Sequence, residues 1–275
     1  MARDAAATRG RCRGEAPLKL NEHVWGPADA PSVICLHGVS AHGLRFRRLA
    51  EECLAPDHRV RAVDLRGHGR SGWEEPWTIA QHLEDVAETA GGAADWIGHS
   101  FGGRLVLELA ARRPELVRRA VLLDPALWVP PDYAQERADE QVPQMSYASP
   151  AEAVEARAAG TGLGWLAHTA RAALEEEVEE HLVQSPDGRY RYRFSPESVA
   201  AAFLEMSADP PSFESARVPT LVILGRHSKL VSGGELEAYR AALEDLLAVV
   251  VVRGGHIPLW DAYEATATAI TEFLR

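Results

Sequence analysis

The chain is short of cysteine, of long apolar runs and of positive charge, and each shortage excludes something. Three cysteines, Cys12, Cys35 and Cys53, occur in 275 residues. They have no metal-ligand spacing, and an odd number with Cys35 inside an apolar run reads as reduced thiols, not a disulfide framework. No stretch approaches the roughly 20 apolar residues that a membrane-spanning helix needs. Met1 to Glu15 is rich in Ala and Arg without an apolar centre, so a secretory signal is not expected and residues 1–16 read as a disordered lead-in. A formal net charge of −11 removes nucleic acid and anionic membranes from the expected partners, because phosphate binding needs a basic stripe. Phosphate-loop and zinc signatures (G-x-x-x-x-G-K-S/T, His-Glu-x-x-His, paired Cys-x-x-Cys) are missing as well, so neither cofactor nor metal is expected. The expectation is a cytoplasmic protein with a small-molecule substrate, as monomer or homodimer.

What is present is enough apolar sequence for a full core: 46% hydrophobic against 25% charged residues. Short β-branched runs alternate with helical patterns, the signature of a mostly parallel sheet covered on both faces. The runs are 31–36, 59–64, 95–97, 120–123, 220–224 and 247–252. Apolar residues at three- and four-residue spacing mark helices around 49–54, 79–89, 105–112, 236–246 and 262–274. From about Trp128 to Arg217 the alternation stops. Helical runs at 150–159, 163–183 and 196–206 replace it, with prolines at the seams. Helices inserted between two strands read as a lid over the strand ends, where open α/β sheets bind their ligands.

The strongest chemical signal is Gly98-His99-Ser100-Phe101-Gly102, between an apolar strand and a helical pattern. A serine on a sharp strand-to-helix turn needs neighbours without side-chain bulk, and the following helix aims its N-terminal amides at the reacting centre. Ser100 is therefore the candidate nucleophile.

With Leu36-His37-Gly38, Asp64-Leu65-Arg66-Gly67-His68-Gly69-Arg70-Ser71 and Gly255-His256 in that order, the chain resembles the α/β-hydrolase-fold serine hydrolases from about Leu18 to Leu274. The resemblance implies a mostly parallel eight-stranded sheet with helices on both faces and a helical lid. The core would be 17–127 and 218–275, and the lid 128–217. His256, after a strand and two glycines, is the candidate general base that takes the serine proton. Among the eleven histidines, His37 and His68 fall in loops that shape the site, His99 would point away from it, and His181 reads as solvent-exposed on a charged helix face. The oxyanion hole would be built from the backbone amides of Phe101 and Val39.

The sequence departs from the family pattern at the acid. The usual aspartate would stand three residues after Gly225, and Ser228 stands there instead. Serine cannot carry the charge that stabilises an imidazolium. Asp124, in Leu123-Asp124-Pro125-Ala126, ends the preceding core strand on the same sheet edge, as the acid does in pancreatic-type lipases. It keeps the order Ser100, Asp124, His256. Asp261 and Glu235 read as a solvated helix start and a helix face. Asp64 and Arg66 read as loop braces, and Lys229 as a surface lysine.

The expected activity is hydrolysis of a carboxylic ester or related acyl bond through an acyl-enzyme. C–C bond hydrolysis of ring-cleavage-type ketones uses the same residues and stays open. A non-catalytic receptor on the same fold also stays open. Carboxylate-nucleophile chemistry is disfavoured by Ser100. Trp128, Tyr133, Met145, Tyr147, Trp165 and Phe203 of the lid are candidates for core and pocket lining alike.

Overall fold

In a computed structural model, residues 16–141, 145–159 and 168–275 are described. The expected lead-in at 1–16 and Trp165 therefore lie, all but residue 16, outside the described residues. Seven strands form the main sheet: β1 (Glu22–Trp25), β2 (Ser32–Leu36), β3 (Arg59–Val63), β4 (Ala94–His99), β5 (Val117–Leu123), β8 (Thr220–Gly225) and β9 (Leu247–Val252). Their order is β1-β3-β2-β4-β5-β8-β9, with β1 antiparallel to β3 and every other pairing parallel.

The expected count of eight strands is corrected to seven among the described residues. Residues 16–21, before β1, form no strand. The Leu18 amide donates to Asp85 Oδ1 (2.7 Å) and the Asn21 amide to Ser71 Oγ (2.8 Å). β1 itself was not anticipated, being four partly exposed residues without an apolar run.

The central strands are buried on both faces, which is why they read as near-continuous apolar runs. Alternate residues feed two cores. Ile34, Leu36, Trp96, Leu122 and Val222 pack with α2 (Ile79–Ala90), α3 (Phe101–Arg112) and α8 (Gly233–Leu243). Val33, Cys35, Ile97, Val121 and Ile223 pack on the other side. There they meet the single turn α1 (Arg47–Leu49), the π-helical turn Ala50–Leu54 that continues it, and α10 (Tyr263–Leu274). A last short helix, α9 (Pro258–Asp261), follows the loop that carries His256.

The sheet order has one functional consequence. The chain leaves β2 toward β3 on one side and leaves β4 toward β5 on the other, although β2 and β4 are neighbours. Their carboxyl ends therefore flank a topological switch point, the crevice where open α/β sheets bind ligands.

The described residues within 128–217 form α4 (Pro131–Gln141), α5 (Pro150–Ala158), α6 (Arg171–His181) and α7 (Pro196–Glu205). Ser149 and Ser195 cap α5 and α7 with a proline at the first position, each hydroxyl accepting an amide N–H at 3.2 Å. The segment is not wholly helical. β6 (Leu182–Gln184) and β7 (Tyr190–Tyr192) pair as a hairpin, so the helical run expected to reach residue 183 stops at His181. Arg104 of α3, fully buried, ties both ends of the segment to the core. It donates to the carbonyls of Leu127 and of Asp209 (3.0 Å).

Candidate active site

Ser100 sits on the turn between β4 and α3 at φ 53°, ψ −117°, outside the regions that suit an L-residue. The strain is held from three sides. The Ser100 amide donates to the Leu123 carbonyl (3.1 Å), and the Ser100 carbonyl accepts from Ala126 (3.1 Å). A side chain on Gly98 would strike the Gly102 carbonyl, and one on Gly102 the Leu36 carbonyl. The spacing Gly-x-Ser-x-Gly is thus a packing requirement of the elbow. Ser100 Oγ is buried and has no hydrogen-bond partner among the described residues.

The loop after β2 passes directly over it. A Cβ built on Gly38 would lie 2.9 Å from Ser100 Cβ. This loop carries Val39, buried against the core, and turns through Ser40 at φ 55°. Phe101 opens α3, so its amide has no acceptor within the helix. His37 braces the loop as a neutral imidazole. Its Nε2 accepts the Leu65 amide (2.9 Å), which leaves Nδ1–H to donate to the Gly38 carbonyl (2.7 Å). Burial, with His68 alongside, holds its basicity well below the usual range. Asp64 braces the far end of the loop, accepting from the amides of Gly43 (2.8 Å) and Arg70 (2.9 Å). Arg66 spans both carboxylate oxygens of Asp85 at 2.7 and 2.8 Å. These residues are the expected loop braces.

Asp124 directly follows β5 at φ 41°, a left-handed conformation that aspartate adopts more readily than most residues. His256 Nδ1 lies 2.6 Å from Asp124 Oδ2, across 132 residues of sequence. Both side chains are buried. Ser228, at the usual acid position, faces the same atom: its hydroxyl donates to Asp124 Oδ2 at 2.6 Å. The Gly225 amide reaches Asp124 Oδ1 at 3.3 Å.

Two neighbours of this group correct their expected placement: His99 does not point away from the site, its ring lying 4.8 Å from that of His256. His99 points into the His256 loop, its Nε2 donating to the His256 carbonyl at 2.9 Å. Burial, then the neighbouring His256, keeps its imidazole neutral. Asp261 is no solvated helix start. Its Oδ2 accepts the Gly255 amide (2.7 Å) and its Oδ1 the Thr169 hydroxyl (2.9 Å), which ties the segment entering α6 to the loop before His256. Glu235 closes a capping box on Ser232, and Lys229 is exposed.

His181 is the clearest correction. It was expected in solvent, and it is buried together with Glu177 on the inner face of α6. Glu177 accepts from Arg45 Nε (3.1 Å) and Nη2 (2.6 Å), and pairs with His42 Nε2 (3.0 Å). Burial alone would raise the Glu177 carboxyl; Arg45 and His42 outweigh it and hold it well below the ordinary range. His42, Glu177 and His181 form the one group among the described residues with donor atoms close enough to hold a metal ion. The Arg45 guanidinium already supplies the positive charge there, so the donor set does not suit a further cation. Of the six aromatic and methionine candidates in the segment, Tyr147 and Phe203 are buried in the core, and Trp128 is exposed.

The family model for the alpha/beta hydrolase fold matches residues 31–263. The chain belongs to the alpha/beta hydrolase fold family. It is similar to lipase LipV of Mycobacterium tuberculosis, 36% identical over 196 residues that cover 70% of this chain and 73% of the relative. The 2-(acetamidomethylene)succinate hydrolase of Mesorhizobium japonicum is 28% identical over the full chain and 99% of its own length. Among solved structures, an E-2-(acetamidomethylene)succinate hydrolase superposes with a TM-score of 0.81 at 26% identity, covering 94% of this chain and 95% of its own. This alpha/beta hydrolase fold protein is a hydrolase. Among its described residues no helix is long and apolar enough to cross a membrane.

Proposed function

We propose that this chain is a serine hydrolase that cleaves a carboxylic ester or related acyl bond through an acyl-enzyme on Ser100. The observation that carries the reading is the 2.6 Å contact between His256 Nδ1 and Asp124 Oδ2, beside a serine held on a strained elbow. The carboxylate fixes the imidazole with its proton on Nδ1, which leaves Nε2 to act as base. Ser100 Oγ attacks the carbonyl carbon and its proton passes to His256 Nε2. The developing oxyanion is held by the amides of Val39 and Phe101, donors that need no reorganisation when the charge appears. Collapse breaks the bond to the leaving oxygen, which takes the proton from His256. Water then repeats the sequence against the acyl-enzyme and frees Ser100.

Residues 17–127 and 218–275 serve as the hydrolase core and 128–217 as a lid that excludes water and selects a small-molecule acyl substrate. Support for the lid comes from Thr169, which donates to Asp261 of α9, and from Glu177 of α6, which accepts from Arg45 in the loop after β2. The relatives named for lipase and hydrolase activities fit acyl chemistry.

The test is active-site labelling by a fluorophosphonate probe together with hydrolysis of p-nitrophenyl esters. Wild type labels and turns over; Ser100→Ala does neither. Asp124→Asn lowers kcat by about four decades, as loss of the acid does in the serine protease template. A folded wild type that never labels overturns the nucleophile, and full activity in Asp124→Asn overturns the acid.

A further inference from the structure

We infer that Ser228 is a positioning residue of this hydrolase, which fixes and polarises the carboxylate of Asp124 through its hydroxyl. The inference rests on the proposed role of Asp124 and goes beyond it, since it gives a task to the residue that displaced the usual acid. The hydroxyl proton has a defined direction. Ser228 Oγ accepts the Leu230 amide at 3.3 Å, which uses a lone pair and turns the O–H toward Asp124 Oδ2 at 2.6 Å. That same oxygen accepts Nδ1–H of His256 at 2.6 Å, while Oδ1 receives the Gly225 amide. Three donors from two segments, the turn 225–228 and the His256 loop, thus hold one carboxylate, and two converge on the oxygen that faces the base.

A short hydrogen bond from a hydroxyl to an ionised acceptor is worth about twice a neutral one. Here it does two things. It stops Asp124 from rotating away from His256, and it draws off part of the negative charge that the imidazolium would otherwise feel. Asp124 and the buried, neutral His99 both face His256. Removal of the Ser228 hydroxyl therefore leaves a looser carboxylate with more charge available to His256. The sign follows: the protonated imidazole gains stability, so the acidic limb of the kcat/KM profile moves to higher pH.

The experiment compares wild type, Ser228→Ala, Ser228→Thr and Asp124→Asn on one p-nitrophenyl ester from pH 5 to 9. Ser228→Ala is expected to lose about 5- to 50-fold in kcat with KM little changed. Its acidic limb should rise by about half a pH unit. Ser228→Thr, which keeps the hydroxyl, restores both. Ser228 lies on a partly exposed loop, and thermal unfolding of Ser228→Ala reports separately on stability. An unmoved acidic limb in a folded Ser228→Ala overturns the proposal, whatever the rate. Full activity in Asp124→Asn overturns instead the reading of the acid beneath it, so the two failures are distinguishable.

Discussion

Glu177→Gln removes one charge and almost no volume from the place where α6 meets the loop after β2. In the native protein, Arg45 reaches both oxygens of Glu177 and His42 approaches one of them, with the glutamate side chain 1% and the arginine 9% exposed. Glutamine offers one acceptor and one N–H donor. Whichever way the amide turns, a donor faces a donor, and the Arg45 cation is left buried without a counter-charge. Breaking a buried pair in this way costs about 3–5 kcal/mol. Arg45 also lies 4.6 Å above the Trp260 ring, and that contact survives the substitution, so the lower end, about 3 kcal/mol, is expected. Urea unfolding followed by circular dichroism reads it as a fall in the midpoint of about 1 M. The pair can also be removed whole. Because an apolar pair of similar size often replaces a buried ion pair at no loss, Arg45→Met with Glu177→Leu should recover most of the deficit. A Glu177→Gln midpoint within about 0.2 M of wild type would refute the reasoning. So would a double variant no better than the single one.

Three further outcomes follow from the geometry. Gly38→Ala places a Cβ 2.9 Å from Ser100 Cβ and 3.2 Å from His99 Nδ1, so the loop or the elbow must shift; ester kinetics should show kcat down by about 10- to 100-fold with a near-native melting temperature. Ser228→Asp sets a second carboxylate against Asp124, and two such groups share one proton. It should therefore hydrolyse esters more slowly than wild type at pH 7, and a faster enzyme would show that the usual acid position still works. Burial holds the imidazoles of His68 and His181 down to about 4. The unfolded chain takes up protons below about 6.5 while the folded one does not. Stability is thus intact above that pH and falls toward pH 4, by about 2 kcal/mol for each histidine at pH 5. A urea midpoint equal at pH 5 and pH 7.5 would contradict this.

The parallel sheet and the elbow were legible because their requirements are local. A strand buried on both faces must be apolar throughout, as 33–36 and 120–123 are, and a serine at φ 53° tolerates no bulk beside it. Asp124 was reached by a different route, through the failure of Ser228 to be a carboxylate, and the structure puts its side chain against His256. That Ser228 bonds to the same oxygen could not be read from sequence, since the two residues meet only when β5 and β8 pair. β1 and the hairpin β6–β7 escaped because half-exposed strands of three or four residues carry no run to recognise.

Glu177 and His181 show the converse problem. In 175–181, glutamates at 175, 176, 177, 179 and 180 make the helix look solvated all round, and a buried charge is indistinguishable from an exposed one until its partner is known. The inner stripe is Leu174, Glu177, Val178 and His181, at spacings of three and four. Its polar members are admitted to the interior by Arg45 and His42, more than 130 residues away. Those partners belong to the loop that carries Val39. The charge that makes α6 hard to read in sequence is therefore the same charge that joins the inserted segment to the loop after β2, and a change at Glu177 should be felt in catalysis as well as in stability.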